Sequence, residues 1–192
     1  MIRNLVFFIL FMPEGLFTRL RAYDLFRWAF VLQCIRWGST AFTTMVTLYR
    51  ERSPMLLPVP FGIDPDSYRY FEIFLYGPYG LLIITIMAYV VHVHGASWAA
   101  ISPLTMRRAW TLIGFCFFGP WLPSLCVDSF LIMLGFGGPE VIIPWHVTIV
   151  AAESLFTAAG LRSIFGLPLA RALWLGAACG AMFLILAGSV IR

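Results

Sequence analysis

Hydrophobic positions along the chain arrive in long runs, not in the narrow stripes of a water-soluble helix. The runs predict five membrane spans, at about 28–48, 71–93, 110–134, 141–161 and 169–191, each near the roughly 20 residues that cross a hydrocarbon core. Ahead of them, PEGLFTRLRAYDLFR sets Leu16, Phe17, Leu20, Tyr23 and Phe26 at helical spacing, with Arg19, Arg21, Asp24 and Arg27 largely opposite. That pattern predicts an amphipathic helix lying in the membrane interface. The expected fold is all-α: a polytopic transmembrane helical bundle, with an interfacial segment over 1–27 and a five-helix domain over 28–192.

Polar and proline-bearing segments divide the runs. From Gly95 to Pro123 a polar turn leads to Arg107 and Arg108, then to an apolar helix expected to break at Pro120 and Pro123. Pro78, within YGPYG, is expected to kink the second span. The proline-rich stretch SPMLLPVPFGIDPDSYRY, Ser53 to Tyr70, reads as an ordered or lid-like outer loop. Leu5 to Met12 is too short to span and is followed by no small-residue cleavage site, so it is expected to be retained in the interface or under the bundle.

Composition names the solvent. Of 192 residues, 61% are hydrophobic and 11% charged, with a mean hydropathy of +0.89, whereas a soluble domain keeps about a quarter of its residues charged. The net charge of +4 is carried by arginine alone. Arg3, Arg19, Arg21, Arg27, Arg107, Arg108, Arg162 and Arg171 fall on one predicted side, and Arg50, Arg52, Arg69 and Arg192 on the other. The positive-inside rule then places the N-terminus in the cytoplasm. Membrane lipids are the partners this implies; no basic stripe with interleaved aromatics points to nucleic acid. Trp28, Trp98, Trp110 and Trp145 fall at predicted interfaces as aromatic anchors. Cys34, Cys116, Cys126 and Cys179 form no CxxC pair and are expected as small, buried free thiols.

Three segments carry a resemblance: MPEGLFTRLRAYDLF before the first span, GASW followed by MRRAWTLIGFCFFGPWLP, and WHVTIVAAESLFTAAGLRSIFGLPLARALWLGAA near the end. Together they resemble the bacterial branch of the Yip family of five-span membrane proteins. The resemblance implies a multi-pass protein of the bacterial cytoplasmic membrane. Eukaryotic members of that family interact with small Rab GTPases. YGPYG matches the family's acidic-aromatic-Gly-Pro motif only loosely, with Glu72 displaced from the acid's place, so GTPase binding does not carry over.

An ionisable group at bilayer depth costs about 2.5–3.5 kcal/mol on insertion scales and needs a partner or a water path. Arg36 and Glu153 both lie near mid-span, where they can pair; Asp128 lies nearer the outer end of its span. Two readings stay open: an interhelical pair that fixes packing, or a polar path through the membrane. His146 stands seven residues before Glu153, on the same predicted face. His92 and His94 are expected near the opposite surface, so a shared metal or haem site is not expected and no cofactor is predicted. Gly176 and Gly180, in LGAACGAM, give a small-residue face for a helix of this bundle or of another protein.

No nucleophile–base pair, phosphate loop or paired catalytic carboxylates appear. The function expected is a non-enzymatic integral membrane scaffold or accessory subunit of a larger complex. The alternatives are a small transporter or channel lined by Arg36, Asp128 and Glu153, and, more weakly, a redox or quinone-associated subunit using the histidines.

Overall fold

A computed structural model describes residues 13–51, 59, 62–136 and 138–190. The apolar run at 5–12, Arg3, Arg52, Arg192 and most of the proline-rich stretch over 53–61 lie outside the described residues. Among the described residues seven α-helices follow one another: α1 Pro13–Ala22, α2 Phe26–Glu51, α3 Pro65–Gly95, α4 Met106–Cys116, α5 Trp121–Met133, α6 Pro139–Gly160 and α7 Leu169–Val190. No strand occurs among the described residues.

Among the described residues four segments are long and apolar enough to cross a membrane: Ser67–Trp98, Met106–Leu131, Glu140–Phe165 and Leu169–Val190. α2 has the length, at 26 residues, but Gln33, Arg36, Ser39, Thr40, Thr43 and Thr44 make its middle too polar to join them.

α3 begins at Pro65, well before the predicted start at 71. Asp64 caps it by accepting from the Ser67 amide at 2.9 Å. Proline at the first helical position costs no hydrogen bond, so a cluster of prolines here ends in a helix start. Farther along, α3 continues through Pro78, which withholds its own donor from the preceding turn.

The predicted third span is two helices. Phe117–Pro120 forms the turn between α4 and α5. Phe117 donates to Ile113, while Phe118 and Gly119 both donate to Phe115, and Pro120 has no N–H to give. Pro123 falls in the first turn of α5, where a missing donor breaks no bond inside the helix. α6 carries a further internal proline, Pro144.

α4 is the centre of the bundle, with every residue from Ala109 to Cys116 buried. Trp110 is therefore a core residue and not an interfacial anchor. Its ring packs 5.2 Å from that of Phe26, and its Nε1 donates to Thr85 Oγ1 at 3.0 Å. Cys116 and Cys179 are buried free thiols, but Cys34 and Cys126 lie exposed on the outer surface.

α1 buries Leu16, Phe17 and Leu20 and leaves Arg19 and Arg21 outside. At this end of the bundle α6 runs into a π-helical turn, Leu161–Phe165, closed by Gly166 at φ 75°. That left-handed backbone suits glycine, and a side chain there would meet Ile101. Ile101 N donates to Phe165 O, and Ser102 Oγ to Ile164 O.

Asp24, in the link between α1 and α2, pairs with Arg107 at 2.7 Å. Arg107's hydrogen bond and the Phe26 amide hold its carboxyl below the ordinary 3.8. A depressed carboxylate contributes stability above its unfolded pKa and loses it as pH falls below. The pair is more than half exposed, so the effect is small and salt-sensitive. Thermal unfolding of Asp24→Asn is expected to sit slightly below wild type at neutral pH and to converge with it below pH 3.8.

Candidate functional site

The interior of the bundle is polar beside the break between α4 and α5. Arg36 of α2 donates from Nη1 to Glu153 Oε1 of α6 at 2.8 Å, with side chains 5% and 0% exposed. Four rings surround the guanidinium: Phe183 at 4.8 Å from Cζ, Trp37 at 5.5 Å, Trp121 at 5.6 Å and Phe117 at 5.9 Å. Each face of an aromatic ring carries negative charge density, so the cage offsets part of the solvation that Arg36 gives up. Phe117 and Trp121 bracket the helix break, Trp37 follows Arg36 on α2, and Phe183 comes from α7.

The break also frees backbone. An uninterrupted helix would take a donor from Phe118 onto Gly114 O, but Phe118 donates to Phe115 instead. Gln33, one turn before Arg36, supplies the donor: its Nε2 lies 2.7 Å from Gly114 O, and the side chain is fully buried. One helix thus presents both a cation and an amide to the same interruption. Gln33→Leu is expected to cost about 1–3 kcal/mol by leaving that carbonyl unsatisfied, with faster amide exchange around Phe117–Pro120 as the accompanying sign. Unchanged thermal stability and exchange would remove Gln33 from this role.

Three buried polar atoms at this centre have no hydrogen-bond partner among the described residues: Glu153 Oε2, Gln33 Oε1 and Trp37 Nε1. Thr157, also buried, turns its hydroxyl back to Glu153 O at 2.9 Å.

Asp128 does not join this centre. It accepts from Trp145 Nε1 at 2.7 Å and lies 3.1 Å from His146 Nε2. His146 and Glu153 keep one helix face, since seven residues is just under two full turns, but they share no site: His146 is half-exposed beside Asp128, while Glu153 is buried. His92 Nδ1 lies 2.8 Å from Leu104 O, and the His94 ring packs edge-on against Trp174 at 6.0 Å. No group of three or more His, Cys, Asp or Glu side chains placed to hold a metal occurs among the described residues.

Gly176 and Gly180 face α6. A methyl group on Gly176 would collide with the Ser154 carbonyl, and one on Gly180 with the Ser154 hydroxyl. Of the two uses open to that small-residue face, the bundle's own packing takes it. Gly80 works similarly, lying flat against the Trp37 ring.

A second polar cluster had not been anticipated. Arg69 and Glu72 of α3 are 7% and 0% exposed. Tyr76 Oη donates to Glu72 Oε1 at 3.3 Å and accepts from Thr44 Oγ1 at 3.4 Å. The positions 69, 72 and 76 share one helix face, a signal that the prolines preceding them mask in the sequence.

These features define a class: among the described residues, an all-helical bundle with four segments apolar enough to span a membrane and a buried ion pair, Arg36–Glu153, joining two of its helices. No protein-family model, characterised protein or solved structure matches the chain.

Proposed function

We propose that the chain is a non-enzymatic integral membrane scaffold or accessory subunit of a larger membrane complex. The observation that carries this reading is the closure of Arg36 on Glu153 inside four aromatic rings, which spends the interior charge on holding α2, α6 and α7 around the helix break. In this reading α2 is a fifth span, tolerated in lipid because Gln33 and Arg36 turn inward, and α1 rests in the interface. The arginine asymmetry and the Yip-like segments favour a bacterial cytoplasmic membrane with the N-terminus inside. Because Gly176 and Gly180 are occupied within the bundle, partner contact falls to the lipid-facing surface and the outer loop. On that surface Phe71 and Phe74 of α3 are 54% and 80% exposed.

Mild-detergent purification from native membranes at native expression, read by mass spectrometry and a native gel, tests this. The expected result is a stoichiometric assembly larger than one 21.7 kDa chain; a lone monodisperse particle overturns it.

The unpartnered atoms Glu153 Oε2, Gln33 Oε1 and Trp37 Nε1 favour a second reading, a small transporter whose polar path passes this centre. It requires that Glu153→Gln keep the fold while abolishing a flux in liposomes. Collapse of the fold in that variant assigns the pair to packing alone.

A further inference from the structure

The end of the bundle that gathers α1, the start of α4 and the π-helical turn holds a cleft of about 330 Å³. Its polar wall is Arg21, Arg107 and Arg108, with Asp24 the acid among the lining residues. Asp24 is taken by Arg107. Arg21 donates to the Ser163 carbonyl, and Arg108 to the carbonyls of Arg21 at 3.3 Å and Pro103 at 3.4 Å. These are neutral acceptors, so two guanidinium charges in the cleft have no carboxylate partner among the described residues. Each guanidinium has five N–H donors, and the contacts to backbone carbonyls use fewer than half of them while fixing where the rest point.

The floor of the same cleft is apolar, formed by Leu112, Ile164 and Phe165, all buried. Arg108 lies over the Phe165 ring with Cζ 5.2 Å from its centroid. At the mouth, Tyr23 is exposed and Leu25 half-buried, so a ligand with an oxyanion at one end and hydrocarbon at the other suits the lining. The forked guanidinium matches phosphate oxygens bidentately, and the cleft opens where α4 begins the segment Met106–Leu131, which is apolar enough to cross a membrane.

We propose that this cleft binds the phosphate headgroup of an anionic phospholipid through Arg21 and Arg108, with the first methylenes of its acyl chains against Tyr23 and Leu25, the larger apolar lining side chains that are not buried. The site rests on the membrane assignment and not on the scaffold reading, so it stands or falls separately from the search for a partner complex.

Native mass spectrometry of the purified full chain in a mild detergent, titrated with phosphatidylglycerol or with phosphatidylcholine, tests it. One phosphatidylglycerol per chain is expected to be retained well above phosphatidylcholine. Arg21→Gln and Arg108→Gln are each expected to weaken that retention about tenfold. Arg162→Gln, which removes an exposed arginine at the same end but outside the cleft, is expected to leave it unchanged. Ala22→Trp fills the cleft from its exposed side without altering charge, and is expected to abolish retention even if an arginine variant fails to fold. Equal retention of the two lipids, or an equal loss in Arg162→Gln, overturns the site. Displacement of the lipid by inorganic phosphate alone assigns the arginines to a soluble anion and overturns the lipid.

Discussion

Arg36→Leu is expected to lower stability by about 3–5 kcal/mol, the cost of breaking a buried ion pair by removing one partner. The reason lies less in the lost bond than in what it leaves behind. Glu153 is wholly buried, and one of its oxygens already has no partner. Without Arg36 the buried carboxylate loses its ion-pair partner, and the four rings that surrounded the guanidinium supply no charge to replace it. Arg36→Leu with Glu153→Leu is expected to recover most of the loss, since a buried pair replaced by apolar side chains is often neutral or stabilising. Thermal or denaturant unfolding in a fixed detergent, run as a double-mutant cycle, reads this directly. If the double variant is no more stable than Arg36→Leu, the pair is not what holds α2 to α6.

Gly176→Ala is the second large effect, expected to destabilise by about 1–3 kcal/mol, the usual range for overpacking. The methyl group would collide with the Ser154 backbone carbonyl and stand 3.1 Å from the Ala158 Cβ. Neither neighbour can rotate away: one is helix backbone and the other is the first atom of a side chain. α6 and α7 must therefore separate along the face where they meet. Gly188→Ala is the matched control on the same helix, because a methyl there has nothing within 4 Å. Its stability is expected to be unchanged or slightly raised, since alanine is the better helix former. Equal loss in both variants would mean that close approach to Ser154 is not the cause.

How much of this was legible depended on whether the signal was local. The helical, membrane-compatible character follows from runs of apolar residues, which need no knowledge of neighbours. The interruption before α5 was visible because proline lacks a donor wherever it stands, but assigning it to Pro120 and not to Pro123 required knowing where the second helix begins. Treating 53–70 as loop hid Asp64 as a cap, and with it the Arg69, Glu72 and Tyr76 face. Trp110 looked like a surface anchor because it follows two arginines; only the packing of Phe26 and Thr85 around it places it in the core.

The centre was half visible. Mid-span position nominated Arg36 and Glu153 together, since charges at that depth require partners, and Asp128 was nominated as a further charge nearer the outer end of its span. Pairing is a matter of which helix faces meet, and there Trp145 and His146 receive Asp128. Gln33 and the four rings carried no signal of their own: a glutamine and several aromatics are unremarkable in an apolar run until the fold brings them to one helix break.

By itself, then, the sequence determined the helical class, the apolar segments and the presence of charges that had to be neutralised, because hydropathy and proline act within a few residues of where they stand. The tertiary structure decided that Arg36 meets Glu153, that Gly176 and Gly180 serve the chain's own packing, and that Arg21 and Arg108 share a cleft. Each of those joins residues far apart in the chain, and their meeting is set by the packing of whole helices around α4.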